Sequence, residues 1–455
     1  MKIQGKSAFC RKQTLKTLNM LRRRVKLGLL TLIALSLNLH YPLLSIAGMG
    51  WPLGLLAEGL FSSRYLLGTI NALWTRSIEK GMLSGGIPAP NRTVVVDNDF
   101  KMDVYDFAQP STSAKRLRPA VLYFHAGAFS TGGRCFGAGT MAWLAAHGYV
   151  GLTASYTLTS SGVWGSGVVT CIEDAWRALR WTQAHAHEIG VDARKIIVAG
   201  DSAGGGLALA LATRLGAAAS DDDARPAAVF VGWAVTDLDP VWFGTVKAAN
   251  GTWGPTPAAD EFETPNVFVP QTTGPTAAAA QRQLQRVFSG SLLLYGRSWL
   301  GWLPASAFAP AVEEAAAAAA AALISPMSRA SERGMPPVLM MVGAADEVVP
   351  AGQQERFAET ARRSGNRVAV LRFQGSGHGG GGVNCQVGRE AVLRFLEAND
   401  LGARATAAQP HADRFVEVAK HAFGVNSDEY QPLPPLWRGR RGTVTLKSIG
   451  RVVGG

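Results

Sequence analysis

From about Arg92 onward the chain alternates between short apolar runs of strand length and longer stretches with helical spacing. Residues 93–97 and 102–107 alternate as strands, and 120–124 is an apolar run ended by a Gly-containing turn. The runs 150–154, 195–199 and 228–235 repeat the theme, with helical stretches at 139–147, 168–188 and 203–215. In the second of these helices Ile172, Ala175, Trp176 and Leu179 share one stripe. Two further strands, 337–342 and 367–373, enclose a helix over 351–363. Repeated strand–helix–strand order predicts an α/β fold: a mostly parallel, eight-stranded sheet with helices on both faces.

Hydrophobic residues make up 47% of the chain and charged residues 17%, which excludes a disordered or fibrous protein. At 455 residues there is ample chain for a full core. The length fits up to three domains, or one large α/β domain with insertions. The net charge of +12 lies at the ends. Residues 1–26 hold nine basic side chains and 433–455 hold five, neither with an acid, so the body between them carries −2. A near-neutral body gives no warrant for a nucleic-acid groove. Four cysteines, Cys10, Cys135, Cys171 and Cys385, are too few and too scattered for a disulfide scaffold or a zinc ribbon.

The basic run over 1–26 is followed at once by an apolar run from Leu27, which continues less purely to Ala47. Residues 1–50 therefore read as a targeting or membrane-anchor segment. Three versions stay open: a cleaved signal ending near Ser45-x-Ala47, a retained anchor, and an organelle transit peptide. A buried N-terminal helix is the fourth. If the segment is an anchor, its basic side stays cytoplasmic and the rest lies in a lumen or outside the cell. The sequons at Asn91 and Asn250 are compatible with that placement. Between 239 and 324 the strand–helix pattern breaks into Pro-, Gly-, Thr- and Ala-rich sequence, read as an inserted cap with a helix near 310–323. The alternative is low-complexity filler. Residues 399–455 form a basic tail, expected to be flexible apart from a helix near 414–423.

The chemistry concentrates in a few places. Gly200-Asp201-Ser202-Ala203-Gly204 matches Gly-x-Ser-x-Gly, follows a strand and opens a small-residue helix. That strand–turn–helix context holds a serine hydroxyl out at the carboxyl edge of a sheet, facing helix N–H groups. A serine hydroxyl is a weak nucleophile and needs a base held by a carboxylate. His378, in a Gly-rich loop after the last strand, and Asp346, after the strand over 338–342, follow in the order Ser…Asp…His. The loop after the third strand, His125-Ala126-Gly127-Ala128-Phe129, is placed to supply an oxyanion hole from the Gly127, Ala128 and Ala203 N–H groups. His185 and His187, two apart on a predicted helix, point to different faces and make a poor metal pair. No P-loop, dinucleotide fingerprint or zinc spacing occurs, so no cofactor and no metal are expected.

Taken in order, these blocks resemble the α/β-hydrolase superfamily, and within it the hormone-sensitive-lipase-like esterases (alpha/beta hydrolase fold-3). The residues carrying the resemblance are 118–129, Tyr156, 173–181, 198–205, Ser325-Pro326, 342–346 and Gly377-His378, so it covers about 92–398. It implies an α/β-hydrolase catalytic domain over 92–398 that hydrolyses carboxylic esters through an acyl-enzyme. Ser202 would be nucleophile, His378 base and then acid, and Asp346 its orienter. The implied partner is a small-molecule or lipid ester, with membrane association through the N-terminal segment. His-Ala-Gly-Ala stands here where the family has His-Gly-Gly-Gly or His-Gly-Gly-Ala, so Ala126 strains the loop if that position needs a positive φ. Two other readings stay in play: a serine peptidase or amidase of the same fold, and an inactive, membrane-tethered binding module.

Overall fold

The computed structural model describes residues 63–97, 100–107, 117–129, 131–158, 168–216, 225–238, 245–248, 250–255, 324–346, 348–379 and 381–403, with 413, 415 and 416. The chain divides into a leading unit, 1–67, and a second unit, 68–455, that contains the sheet. The predicted anchor over 27–47, the cap helix near 310–323 and the basic end of the tail lie outside the described residues. Among the described residues no helix is long and apolar enough to cross a membrane.

Helix α1 (Ser63–Gly85) precedes the hairpin β1 (Arg92–Asp97) and β2 (Phe100–Tyr105). Then follow β3 (Arg118–Phe124), α2 (Ala138–Ala146), β4 (Val150–Ala154), α3 (Val168–Ala184), β5 (Val191–Asp201), α4 (Ala203–Ala212) and β6 (Ala228–Gly232). A short pair, β7 (Thr245–Lys247) and β8 (Trp253–Pro255), stands apart, and β9 (Val338–Gly343), α5 (Ala351–Arg363), β10 (Val368–Phe373) and α6 (Gln386–Glu397) complete the set. The main sheet has eight strands in the order β1-β2-β4-β3-β5-β6-β9-β10. β1 and β2 pair antiparallel with each other, and β2 with β4; every other pairing is parallel.

Strand side chains alternate between two separate cores, because successive residues of a strand face opposite sides of the sheet. Leu122, Val198, Val231 and Met340 pack under α3, α4 and α5, where Trp176, Leu207 and Phe357 are buried. Val121, Ile197, Phe230 and Met341 pack on the other side with Ile78 of α1, Met141 of α2 and Leu396 of α6. Central strands covered on both faces are therefore apolar throughout. Helix α4 is buried at every position, which its Gly-, Ala- and Leu-only composition allows.

The structure differs from the sequence expectations at several boundaries. β6 ends at Gly232 rather than 235, because Trp233 adopts φ +37° and the chain turns out of the ladder. α3 ends at Ala184, so His185 and His187 lie in the turn beyond it; the His185 ring stacks on Trp181 at 4.3 Å. Helices α1 and α6 were not expected. Within the insert, 245–255 forms the β7–β8 hairpin, where only irregular sequence was expected. The described cysteines, Cys135, Cys171 and Cys385, are thiols.

Candidate active site

Ser202 occupies the turn between β5 and α4 with φ +53° and ψ −120°, a strained conformation for a residue with a Cβ. Three main-chain bonds hold it there: Ser202 N–H donates to Gly232 C=O at 2.9 Å, and its own C=O accepts from Gly206 at 3.0 Å and Val235 at 3.2 Å. Gly204 is glycine for a steric reason, since a Cβ there would run into the carbonyls of Phe124 and His125. The hydroxyl thus stands at the carboxyl edge of the sheet over the N-terminus of α4, whose first N–H groups have no acceptor within the helix.

The structure brings together the three side chains singled out in the sequence. His378 Nε2 lies 3.0 Å from Ser202 Oγ, and His378 Nδ1 lies 3.0 and 2.9 Å from the two oxygens of Asp346. Nδ1–H donates to the carboxylate, so Nε2 presents a lone pair to the serine proton. Asp346 Oδ1 also accepts from the Val348 and Val349 N–H groups at 3.0 and 2.9 Å, which fixes the carboxylate in the turn after β9. The Asp346 side chain is fully shielded from solvent, while that of His378 keeps 16% exposure. The loop bearing His378 is tied to the end of β9 by Ala344 N–H to Phe373 C=O and Ala345 N–H to Ser376 C=O, each 2.9 Å.

The predicted oxyanion loop follows β3. Positive φ falls on Gly127 (136°), Ala128 (52°) and Phe129 (59°), and not on Ala126. The alanine at 126 therefore places no Cβ in a left-handed position, and the strain lies one and two residues past Gly127. Thr131 clasps the turn by donating both N–H and Oγ1–H to Gly127 C=O at 2.9 and 3.0 Å. His125 underpins it from a buried position, its ring stacked on Tyr156 at 4.2 Å and its Nδ1–H donated to Ala126 C=O at 2.8 Å. Burial pushes its pKa down to about 4, so the ring is neutral near pH 7. Tyr156 O–H closes the arrangement onto His125 C=O at 2.9 Å.

Sequence reasoning missed three neighbours of the site. Asp201, next to Ser202, accepts from Tyr123 O–H at 2.7 Å. Desolvation raises its pKa to about 6, against the lowering effects of the Tyr123 bond and of His378. Trp233 presents its ring to His378 with centroids 6.2 Å apart. Asn71 of α1 bonds the segment that follows the oxyanion loop. All three depend on contacts between distant parts of the chain, so no local pattern marks them. Among the described residues there is no cluster of metal-ligating side chains.

The sequence profile of the alpha/beta hydrolase fold family matches residues 121–380, more than half of the chain. Esterase LipI of Mycobacterium tuberculosis is 38% identical over 106 residues, 23% of this chain and 32% of that protein. Carboxylesterase NlhH of the same organism is 34% identical over 102 residues, 21% of this chain and 28% of its own length. The chain thus spans about a third of the length of these relatives. Among solved structures, native esterase Est2 of the planctomycete Thermogutta terrifontis is 21% identical with a TM-score of 0.48, covering 70% of this chain and 95% of that one.

Proposed function

Since the chain belongs to the alpha/beta hydrolase fold family, we propose that it is a serine carboxylesterase acting through Ser202, His378 and Asp346. The observation that carries this reading is the hydrogen-bonded series from Ser202 Oγ through His378 to Asp346, all links within 3.0 Å. In this reading Ser202 Oγ attacks the ester carbonyl while His378 Nε2 takes the hydroxyl proton. Asp346 holds the ring in the required tautomer and stabilises the imidazolium. The N–H groups of Gly127, Ala128 and Ala203 receive the developing oxyanion, a contribution of about 3–4 kcal/mol per donor in comparable sites. The alcohol leaves with the proton from His378, and a water activated by the same ring releases the acid from the acyl-serine. No step calls for a cofactor.

The basic and apolar sequence of residues 1–50 supports delivery to a membrane or secretory route, and with it amphiphilic or lipid-derived esters. The test uses a serine-reactive fluorophosphonate and p-nitrophenyl esters of several chain lengths, on wild type and Ser202→Ala. Wild type is expected to label and to turn over; Ser202→Ala should lose both, with turnover down by roughly 10⁴–10⁶-fold. Labelling that survives Ser202→Ala would misassign the nucleophile. A wild type that neither labels nor hydrolyses points to a binding module.

A further inference from the structure

The oxyanion loop has three consecutive left-handed residues, 127–129, two of them carrying a Cβ. Each such residue costs on the order of 1–3 kcal/mol and persists only where its surroundings over-determine it. On the β3 side the constraint comes from His125 and Tyr156. On the other side it comes from outside the β/α core. Asn71, buried on α1, accepts from Gly132 N–H through Oδ1 at 2.7 Å and donates from Nδ2 to Gly132 C=O at 3.1 Å. The side-chain amide thereby pairs with both main-chain groups of one residue, 61 positions away. Gly132 in turn sits directly against the loop: a Cβ on it would lie 2.6 Å from Ala126 O and from His125 Nδ1. Its neighbour Thr131 makes the two bonds to Gly127. The same face of α1 continues the contact through Thr75, whose carbonyl accepts from Cys135 Sγ at 3.6 Å, and through Trp74, edge-on to Phe136 at 5.1 Å.

We propose that Asn71 is a positioning residue for ester hydrolysis: by clamping the Gly132 peptide it holds the Gly127 and Ala128 N–H groups at the oxyanion position. This rests on the serine-esterase reading above. Its consequence is that α1, which precedes the first strand, is part of the catalytic apparatus and not only a cover for the sheet. Displacing an oxyanion donor by about 1 Å costs up to about 10²-fold in rate, and removing one outright costs about 10²–10³-fold. Asn71→Ala, which frees one flank of the loop, is therefore expected to lower kcat by about 10- to 100-fold with KM within about twofold.

The experiment titrates wild type and Asn71→Ala with the fluorophosphonate, so that turnover of p-nitrophenyl acetate is expressed per reactive serine. It also measures inhibition by an alkyl trifluoromethyl ketone, whose serine adduct carries an oxyanion. The expected result is a full titration end point, turnover per site down at least tenfold, and ketone affinity weakened in parallel. Amide exchange should accelerate across 126–133. If turnover per titrated site and ketone affinity match wild type, Asn71 merely supports the fold and the proposal fails. Should Asn71→Ala not fold, Asn71→Asp keeps the volume and the acceptor for Gly132 N–H but loses the donor, and the same two readouts decide. Failure of wild type to label would instead overturn the esterase reading, so the two failures are distinguishable.

Discussion

Replacing Asp201 by Asn tests whether the carboxyl beside Ser202 is held against its own charge. Desolvation raises its pKa from the ordinary 3.8 to about 6. A pKa raised on folding means that the folded state binds the proton more tightly than the unfolded chain does. Below about pH 3 both states are protonated and nothing is lost. Between about 3 and 6 the unfolded chain gives up its proton first, and stability falls as pH rises. Above 6 the full penalty applies. Each pKa unit is worth about 1.4 kcal/mol, so the penalty is on the order of 3 kcal/mol. Asparagine occupies nearly the same volume and its amide oxygen can still accept from Tyr123 O–H, but it carries no charge at any pH. Urea unfolding of wild type and Asp201→Asn at pH 4 and pH 7 isolates this one group, because every other carboxylate is common to both proteins. The variant's relative stability should improve by roughly 2–2.5 kcal/mol on going from pH 4, where the unfolded carboxyl is already half ionised, to pH 7. A stability difference that is the same at both values, or that moves the other way, would refute the reasoning and place water or an unrecognised donor at the carboxylate.

Two further outcomes follow from the same geometry. Asp346→Asn leaves a side chain of the same shape but reverses the polarity at His378 Nδ1, trapping the wrong tautomer; kcat for p-nitrophenyl acetate should fall by about 10⁴-fold, with little change in thermal unfolding. Arg356 and Asp237 form a buried ion pair, so Arg356→Ala, which leaves Asp237 without its guanidinium, should cost about 3–5 kcal/mol of stability in urea unfolding.

The parts of the site visible from the sequence are those whose geometry is imposed locally. Ser202 is legible because a strained strand-to-helix turn tolerates few residues, and Gly200 and Gly204 advertise it. Asp346 and His378 are legible because each follows an apolar strand run in the expected order. The contacts that crowd around them are not. Tyr123 meets Asp201 across 78 residues, and only because β3 and β5 are in the register that pairs Tyr123 with Ala199. The apolar run 228–235 predicts a strand that includes Trp233, because apolarity alone does not reveal where a ladder ends. Helix α1 is hidden in the sequence for the opposite reason. Its buried stripe, Asn71, Ile78 and Met82, is interrupted by the exposed Leu73, Trp74 and Leu83, which blurs the 3.6-residue period.

Strand order explains why one sheet edge can collect so many separate pieces. β3, β5, β6, β9 and β10 are consecutive neighbours, and all run parallel, so their carboxyl ends lie side by side. In sheet order these ends deliver the oxyanion loop, Ser202, Trp233, Asp346 and His378. Strands spaced about 4.8 Å apart put the ends of β5 and β10 roughly 14 Å from each other. The imidazole reaches the hydroxyl only because the 374–378 loop folds back along the edge toward β5. The bonds from Ala344 and Ala345 to that loop, and the Trp233 ring against His378, form the support for this return path. With its left-handed φ at the end of β6, Trp233 lays its ring against Gly382 and turns an edge toward His378, so the residue that ends the strand also borders the returning loop.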